Sequence, residues 1–166
     1  MRKRTRTIAI AIAVAIAAAG ASGAEAVAAA GPRPFGATLE GHSNAVPTSD
    51  PCVLTITEGG TGKAVHMGAI AWASSETLNL CSNPEGADVQ GELVMTAANG
   101  DEVFGRYVSL VRPDFQAGVF TFTGRWEIVS GTGRFRNVTG EGTLSGGGSL
   151  VPPFQVMASM VGSISY

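Results

Sequence analysis

Along Val119–Val129 the chain alternates: Phe120, Phe122, Trp126 and Ile128 fall on one side with Gly124 among them, and Thr121, Thr123, Arg125 and Glu127 fall on the other. A two-residue period of this kind belongs to a strand with one buried face and one wet face. Comparable runs, bounded by Gly, Pro, Asn and Asp, cover residues 38–42, 53–57, 64–73, 77–81, 89–97, 102–112, 139–145 and 154–165. Beyond residue 30 no segment places apolar residues at i, i+3, i+4 and i+7, so no amphipathic helix is predicted. Asn99-Gly100, flanked by Leu93–Thr96 and Val103-Phe104, predicts a β-hairpin closed by a type I′ turn. Pro47, Pro51, Pro84, Pro113, Pro152 and Pro153 are expected between strands, where a missing N–H costs no ladder bond.

Eight or nine strands, several about ten residues long, predict an all-β domain: a single closed antiparallel barrel of about eight strands. Closure removes the exposed edges that otherwise invite aggregation; a two-sheet sandwich is the competing architecture. Strand parity turns Phe120, Phe122 and Trp126 inward together. It also puts His66 on one strand face with Gly68, Ile70 and Trp72. His66, Trp72, Phe120, Phe122 and Trp126 are therefore the candidate lining of a ligand cavity, with His66 as its polar spot.

The first 30 residues follow a different pattern. Arg2, Lys3, Arg4 and Arg6 precede an uncharged apolar run from Ile8 to Ala19, and small residues follow through Ala30. This order predicts a secretory signal peptide over residues 1–30, with A-x-A sites at Ala24-Glu25-Ala26 and Ala28-Ala29-Ala30. The run falls short of the roughly 20 apolar residues that span a bilayer. The expectation is a secreted or periplasmic protein, out of the membrane after cleavage, with its barrel over residues 31–166.

Charge narrows the partners. The chain has 11 basic and 13 acidic residues; without residues 1–30, 7 basic and 12 acidic ones remain, a formal charge of −5. Nucleic-acid binding needs the opposite sign gathered on one face, and is excluded. An oxidising compartment also decides how the two cysteines are read: Cys52 and Cys81 admit one pairing, and a Cys52–Cys81 disulfide is expected.

Gly131-Thr132-Gly133-Arg134-Phe135-Arg136-Asn137-Val138-Thr139-Gly140 follows the long strand of residues 119–129. The pattern G-T-G-x-F-x-x-x-x-G after such a strand resembles the allene oxide cyclase-like barrels and the dirigent proteins. The whole chain after residue 30 looks like the bacterial secreted members of that group. Supporting pieces are Gly62–Gly68, Thr96–Asp101, Phe122-Thr123-Gly124 and the terminal Gly162–Tyr166. Ser130 departs from the pattern, where a second Gly is usual. Physically, Gly131 and Gly133 permit a tight reversal, Phe135 can plug one end of a barrel, and Gly140 closes the motif. The motif marks a fold rather than a reaction, and no helix follows it to make a phosphate site.

Groups that carry chemistry are sparse. Glu40 and His42 share a strand face, and with His66 they would make a two-histidine, one-carboxylate metal site. Separate surface or hydrogen-bonded histidines are the simpler reading, so no metal and no cofactor are expected. No G-x-S-x-G elbow or spaced triad occurs, and no catalytic residue is transferred from the cyclases. Three function classes follow: an exported barrel binding a small apolar ligand in its interior, an isomerase or cyclase resembling allene oxide cyclase, and a structural or interaction module of the cell envelope with a solid interior. The sequence sets no oligomeric state. A buried carboxylate with a raised pKa inside the barrel would favour the enzyme.

Overall fold

The computed structural model describes residues 31–166, and the signal peptide expected over residues 1–30 lies outside the described residues. Eight strands close an antiparallel barrel in simple sequence order. They are β1 (Arg33–Pro47), β2 (Val53–Ala64), β3 (Gly68–Asn83), β4 (Gly86–Ala97), β5 (Glu102–Asp114), β6 (Val119–Gly131), β7 (Thr139–Ser149) and β8 (Gln155–Ser165). The only helical segment among the described residues is a 3-10 turn at Gly133–Phe135. The stagger follows from the register. Ala45 pairs with Ile56, and successive partners run through Glu76, Gly91, Tyr107, Trp126, Gly142 and Gly162 back to β1 at Phe35, ten residues below the start. An eight-stranded barrel sheared in this way has an interior just wide enough to be filled by side chains or to hold one small ligand.

Three expectations about the strands are corrected. The runs 64–73 and 77–81 are one strand, β3, and Ala64 ends β2; Val65, His66 and Met67 form the turn between them. Pro113 lies inside β5, opposite Phe120, one residue from the strand end, and Pro47 is the last residue of β1, paired with Leu54. The Asn99-Gly100 hairpin stands, but its turn is not type I′. Only Gly100 takes a positive φ, of 85°, while the Gly100 N–H bonds the Ala97 carbonyl and the Ala97 N–H bonds the Asp101 carbonyl. That is a three-residue loop ending on a left-handed glycine.

The two ends of the barrel differ. At the end carrying the β2–β3, β4–β5 and β6–β7 turns, the interior is packed solid with Phe35, Ile70, Trp72, Met95, Trp126, Ile128, Phe135 and Ile164, all buried. Phe135 has no exposed surface and closes this end, as its place in the motif suggested. The reversal that delivers it needs Gly133, whose φ is 52° and whose missing Cβ leaves room for the Asp101 carboxylate. At the other end a smaller cluster of Ile56, Leu78, Ala87 and Val89 lines only part of the wall. Cys52 and Cys81 form a disulfide there, with Cα atoms 5.4 Å apart, joining the start of β2 to β3.

Interior aromatic rings on the strands obey one packing rule: each is paired with a glycine on the neighbouring strand. Trp72 pairs with Gly60, Tyr107 with Gly91, Trp126 with Gly142, Phe122 with Gly146 and Phe120 with Gly148. For Tyr107, Trp126, Phe122 and Phe120 the ring lies over the space a side chain on the paired glycine would take, and a Cβ on Gly142 would sit 2.5 Å from the Trp126 ring. Trp72 reaches one strand further, where a Cβ on Gly41 would lie 2.9 Å from its ring. The indoles find backbone acceptors as they lie down. Trp126 Nε1 donates to the Thr143 carbonyl at 2.9 Å, and Trp72 Nε1 donates to the Glu40 and Thr61 carbonyls, both at 3.1 Å. Buried indole N–H groups are thereby satisfied.

Candidate functional site

Between the solid half and the other end, the inner face turns polar. β2 runs inward through Leu54, Ile56 and Glu58, and β3 through Ser74, Glu76 and Leu78. The period of two that buries Ile56 and Leu78 carries the two carboxylates to the same face. Glu58 pairs with Ser74 and Ile56 pairs with Glu76, so the two acids are diagonal neighbours on adjacent strands. Tyr107 enters from β5. Its ring crosses Gly91 and its hydroxyl donates to Glu76 Oε2. A side chain at Gly91 would close that route, because a Cβ there would lie 2.5 Å from the Tyr107 ring. Ser74, itself buried, donates to Glu58 Oε2 at 3.4 Å.

Every Arg, Lys and His among the described residues is exposed. The two carboxyls therefore share the interior with no cation, and their protonation responds. Burial, and then the neighbouring Glu76, push the Glu58 carboxyl from 4.5 up to about 8, against a smaller downward pull from Ser74. Burial also raises Glu76, and the hydrogen bond from Tyr107 draws it back. The Tyr107 phenol is raised by its own burial, then by the charge of Glu76 and by donating to it. At neutral pH Glu58 is thus chiefly the neutral acid, and Tyr107 favours ionisation of Glu76. Two neighbouring carboxyls, both raised by burial and each held by a different hydroxyl, are groups of the kind that acid–base chemistry uses.

Glu58, Glu76 and Tyr107 point inward yet are only partly buried, as are Leu54, Val111, Phe120, Phe122 and Ala158. For inward side chains in a closed barrel, that exposure reaches them through the interior from the end opposite Phe135. Phe120 and Phe122, with ring centroids 6.3 Å apart, stand on β6. β2 and β6 are four strands apart in either direction, so the rings face the carboxyls across the barrel. A trough of about 970 Å³ lies along the same level of the wall, lined by outward residues such as Ser75, Gln90, Arg106 and Glu127 and bordered also by Glu76 and Tyr107. Its outward ionic groups are solvated, and Arg106 and Glu127 pair with each other at 2.8 Å; Glu76 and Tyr107, the two groups of displaced protonation that border it, turn their side chains inward toward Glu58 and Ser74. The interior quartet is the better candidate despite the trough's size.

Of the five residues expected to line a cavity, four point inward. Trp72 and Trp126 belong to the solid half, whereas Phe120 and Phe122 border the open half. His66 is corrected: it occupies the exposed β2–β3 turn with φ 70°, and its Nε2 lies 3.1 Å from the Pro34 carbonyl oxygen outside the barrel. A residue in the left-handed region breaks the alternation that placed it with Ile70 and Trp72. Glu40 and His42 face outward on β1, away from His66. Among the described residues no group of three His, Cys, Asp or Glu is placed to hold a metal ion. Gly131, Phe135 and Gly140 serve the fold: a Cβ at Gly131 would meet the Glu102 and Phe135 carbonyls, and one at Gly140 would meet Ile164. The sequence reading missed Glu58, Ser74, Glu76 and Tyr107. Continuing the Ile56 and Leu78 parity by one step in each direction would have found both carboxylates.

Fold and site together define a closed eight-stranded barrel, solid at one end, with a carboxyl–carboxyl–phenol–hydroxyl quartet facing its accessible half. Comparison with family models, curated proteins and solved structures finds no match for this chain.

Proposed function

We propose that this is an exported barrel that takes a small, largely apolar molecule into its accessible half and anchors it by hydrogen bonds to Glu58 and Glu76. The observation that carries this reading is the partial exposure of inward apolar and polar side chains at one level of the barrel. Apolar pockets with a few convergent polar groups and perturbed pKa values are where ligands bind. Export rests on the basic, apolar and small-residue order of residues 1–30, and the Cys52–Cys81 disulfide is compatible with an oxidising compartment. Titration with the neutral fluorophore N-phenyl-1-naphthylamine tests the binding. Saturable enhancement, with energy transfer from Trp72 or Trp126, is expected; a folded barrel that gives no saturable signal overturns the proposal.

A second reading is an isomerase or cyclase resembling allene oxide cyclase, and the raised Glu58 and Glu76 carboxyls favour it. The resemblance in the Gly131–Gly140 motif supports the barrel of that group and brings no catalytic residue with it.

A further inference from the structure

We propose that Glu58 and Glu76 form a proton-transfer pair acting on small apolar ketones, with Glu76 as base toward a carbon next to the carbonyl and Glu58 as acid toward the carbonyl oxygen. This rests on the reading that a small apolar molecule enters the accessible half of the barrel.

The roles follow from the partners. Tyr107 donates its hydroxyl hydrogen to Glu76, so it supports a carboxylate there. Ser74 touches Glu58 through one longer bond, and no cation faces either acid. A site with two like acids and no counter-charge holds one proton in preference to none or two. That single proton leaves one donor and one acceptor side by side on neighbouring strands, the arrangement that enolisation requires. Phe120 and Phe122 on the opposite wall supply an apolar surface for the carbon skeleton.

For a β,γ-unsaturated ketone the steps balance without any oxidant or co-reactant. The Glu76 carboxylate removes the α-proton, and the C–H electron pair becomes the enol C=C. The carbonyl π pair takes the proton from Glu58, leaving a dienol, a Glu58 carboxylate and a protonated Glu76. Glu76 then delivers its proton to the γ-carbon while the enol O–H returns its proton to Glu58. The product is the conjugated ketone and both side chains are restored. Only a 1,3-shift of one proton has occurred.

The test uses 3-cyclohexen-1-one as probe with the residue 31–166 barrel carrying its disulfide. Binding is read by displacement of N-phenyl-1-naphthylamine, and turnover by the growing absorbance of the conjugated product. Catalysis above the buffer rate is expected. Glu76→Gln should lose about 100-fold or more, the usual share of general acid–base catalysis; its amide still offers a hydrogen bond to the ligand but cannot take a proton, so the probe should still displace the fluorophore, at a somewhat higher concentration. Glu58→Gln should also lower the rate, with the alkaline fall of the wild-type profile near pH 8 absent. Fluorophore displacement without turnover by wild type, or full turnover by Glu76→Gln, overturns the proton-transfer role and leaves the binding reading standing. Absence of displacement by the probe together with absence of fluorophore binding overturns both.

Discussion

Glu58 makes stability depend on pH in a direction opposite to ordinary acid unfolding. In the unfolded chain its carboxyl titrates near 4.5, and in the barrel it titrates near 8. Between those values the folded protein binds a proton that the unfolded chain does not, so stability must fall as pH rises. The contribution is fully present below about pH 4.5 and lost above about pH 8. At about 1.4 kcal/mol for each tenfold change in proton affinity, the ceiling is about 5 kcal/mol; partial solvent access to the carboxyl reduces the expectation to about 2–3 kcal/mol. Glu76, raised in the same sense, adds to the slope. Urea unfolding at pH 5, 6, 7 and 8 gives the measurement, with m constant so that the midpoint tracks stability. Wild type should lose stability steadily across that range. Glu58→Gln, which carries no titrating group, should lose much less. A wild-type midpoint that is flat or rises from pH 5 to 8, or a variant with the wild-type slope, would refute the interior placement of this acid.

Gly91→Ala should push Tyr107 off Glu76, because the added Cβ would lie 2.5 Å from the ring; an unchanged near-ultraviolet tyrosine spectrum would contradict this. Gly133→Val should impair folding, since a β-branched residue is strained at φ 52° and the Asp101 carboxylate fills the space; wild-type yield and melting temperature would show otherwise. Phe122→Ala should cost less than the roughly 3–5 kcal/mol of a fully packed aromatic, while Trp126→Ala, losing a buried ring and its bond to Thr143, should reach that range. Reducing Cys52–Cys81 should lower stability by roughly 3–4 kcal/mol on the chain-entropy model while the β signature in circular dichroism persists.

The barrel was legible because its apolar positions alternate cleanly, as in Phe120–Ile128, and because Gly and Pro punctuate most of the turns. The β2–β3 turn was not, since Lys63-Ala64-Val65-His66-Met67 holds no turn residue until Gly68, and His66 adopts the left-handed conformation without a glycine's ease. That missed reversal carried His66 into the interior on paper. The carboxyl pair was hidden for a related reason. Ending one strand at Thr57 and splitting another between Ala73 and Thr77 dropped Glu58, Ser74 and Glu76 into supposed loops, where acids are ordinary. Tyr107 carried no signal of its own; its role depends on Gly91, a contact between strands that composition cannot show. The disulfide needed only two cysteines and a compartment.

The proposed ligand site is inside the barrel, at Glu58, Glu76 and Tyr107. Amide and side-chain chemical-shift mapping by NMR during titration with N-phenyl-1-naphthylamine tests it most directly. The largest perturbations should fall on Glu58, Ser74, Glu76, Tyr107 and Phe122, with the outer residues Gln90, Arg106 and Glu127 little changed. Perturbations confined to those outer residues, with the interior quartet unmoved, would contradict this placement.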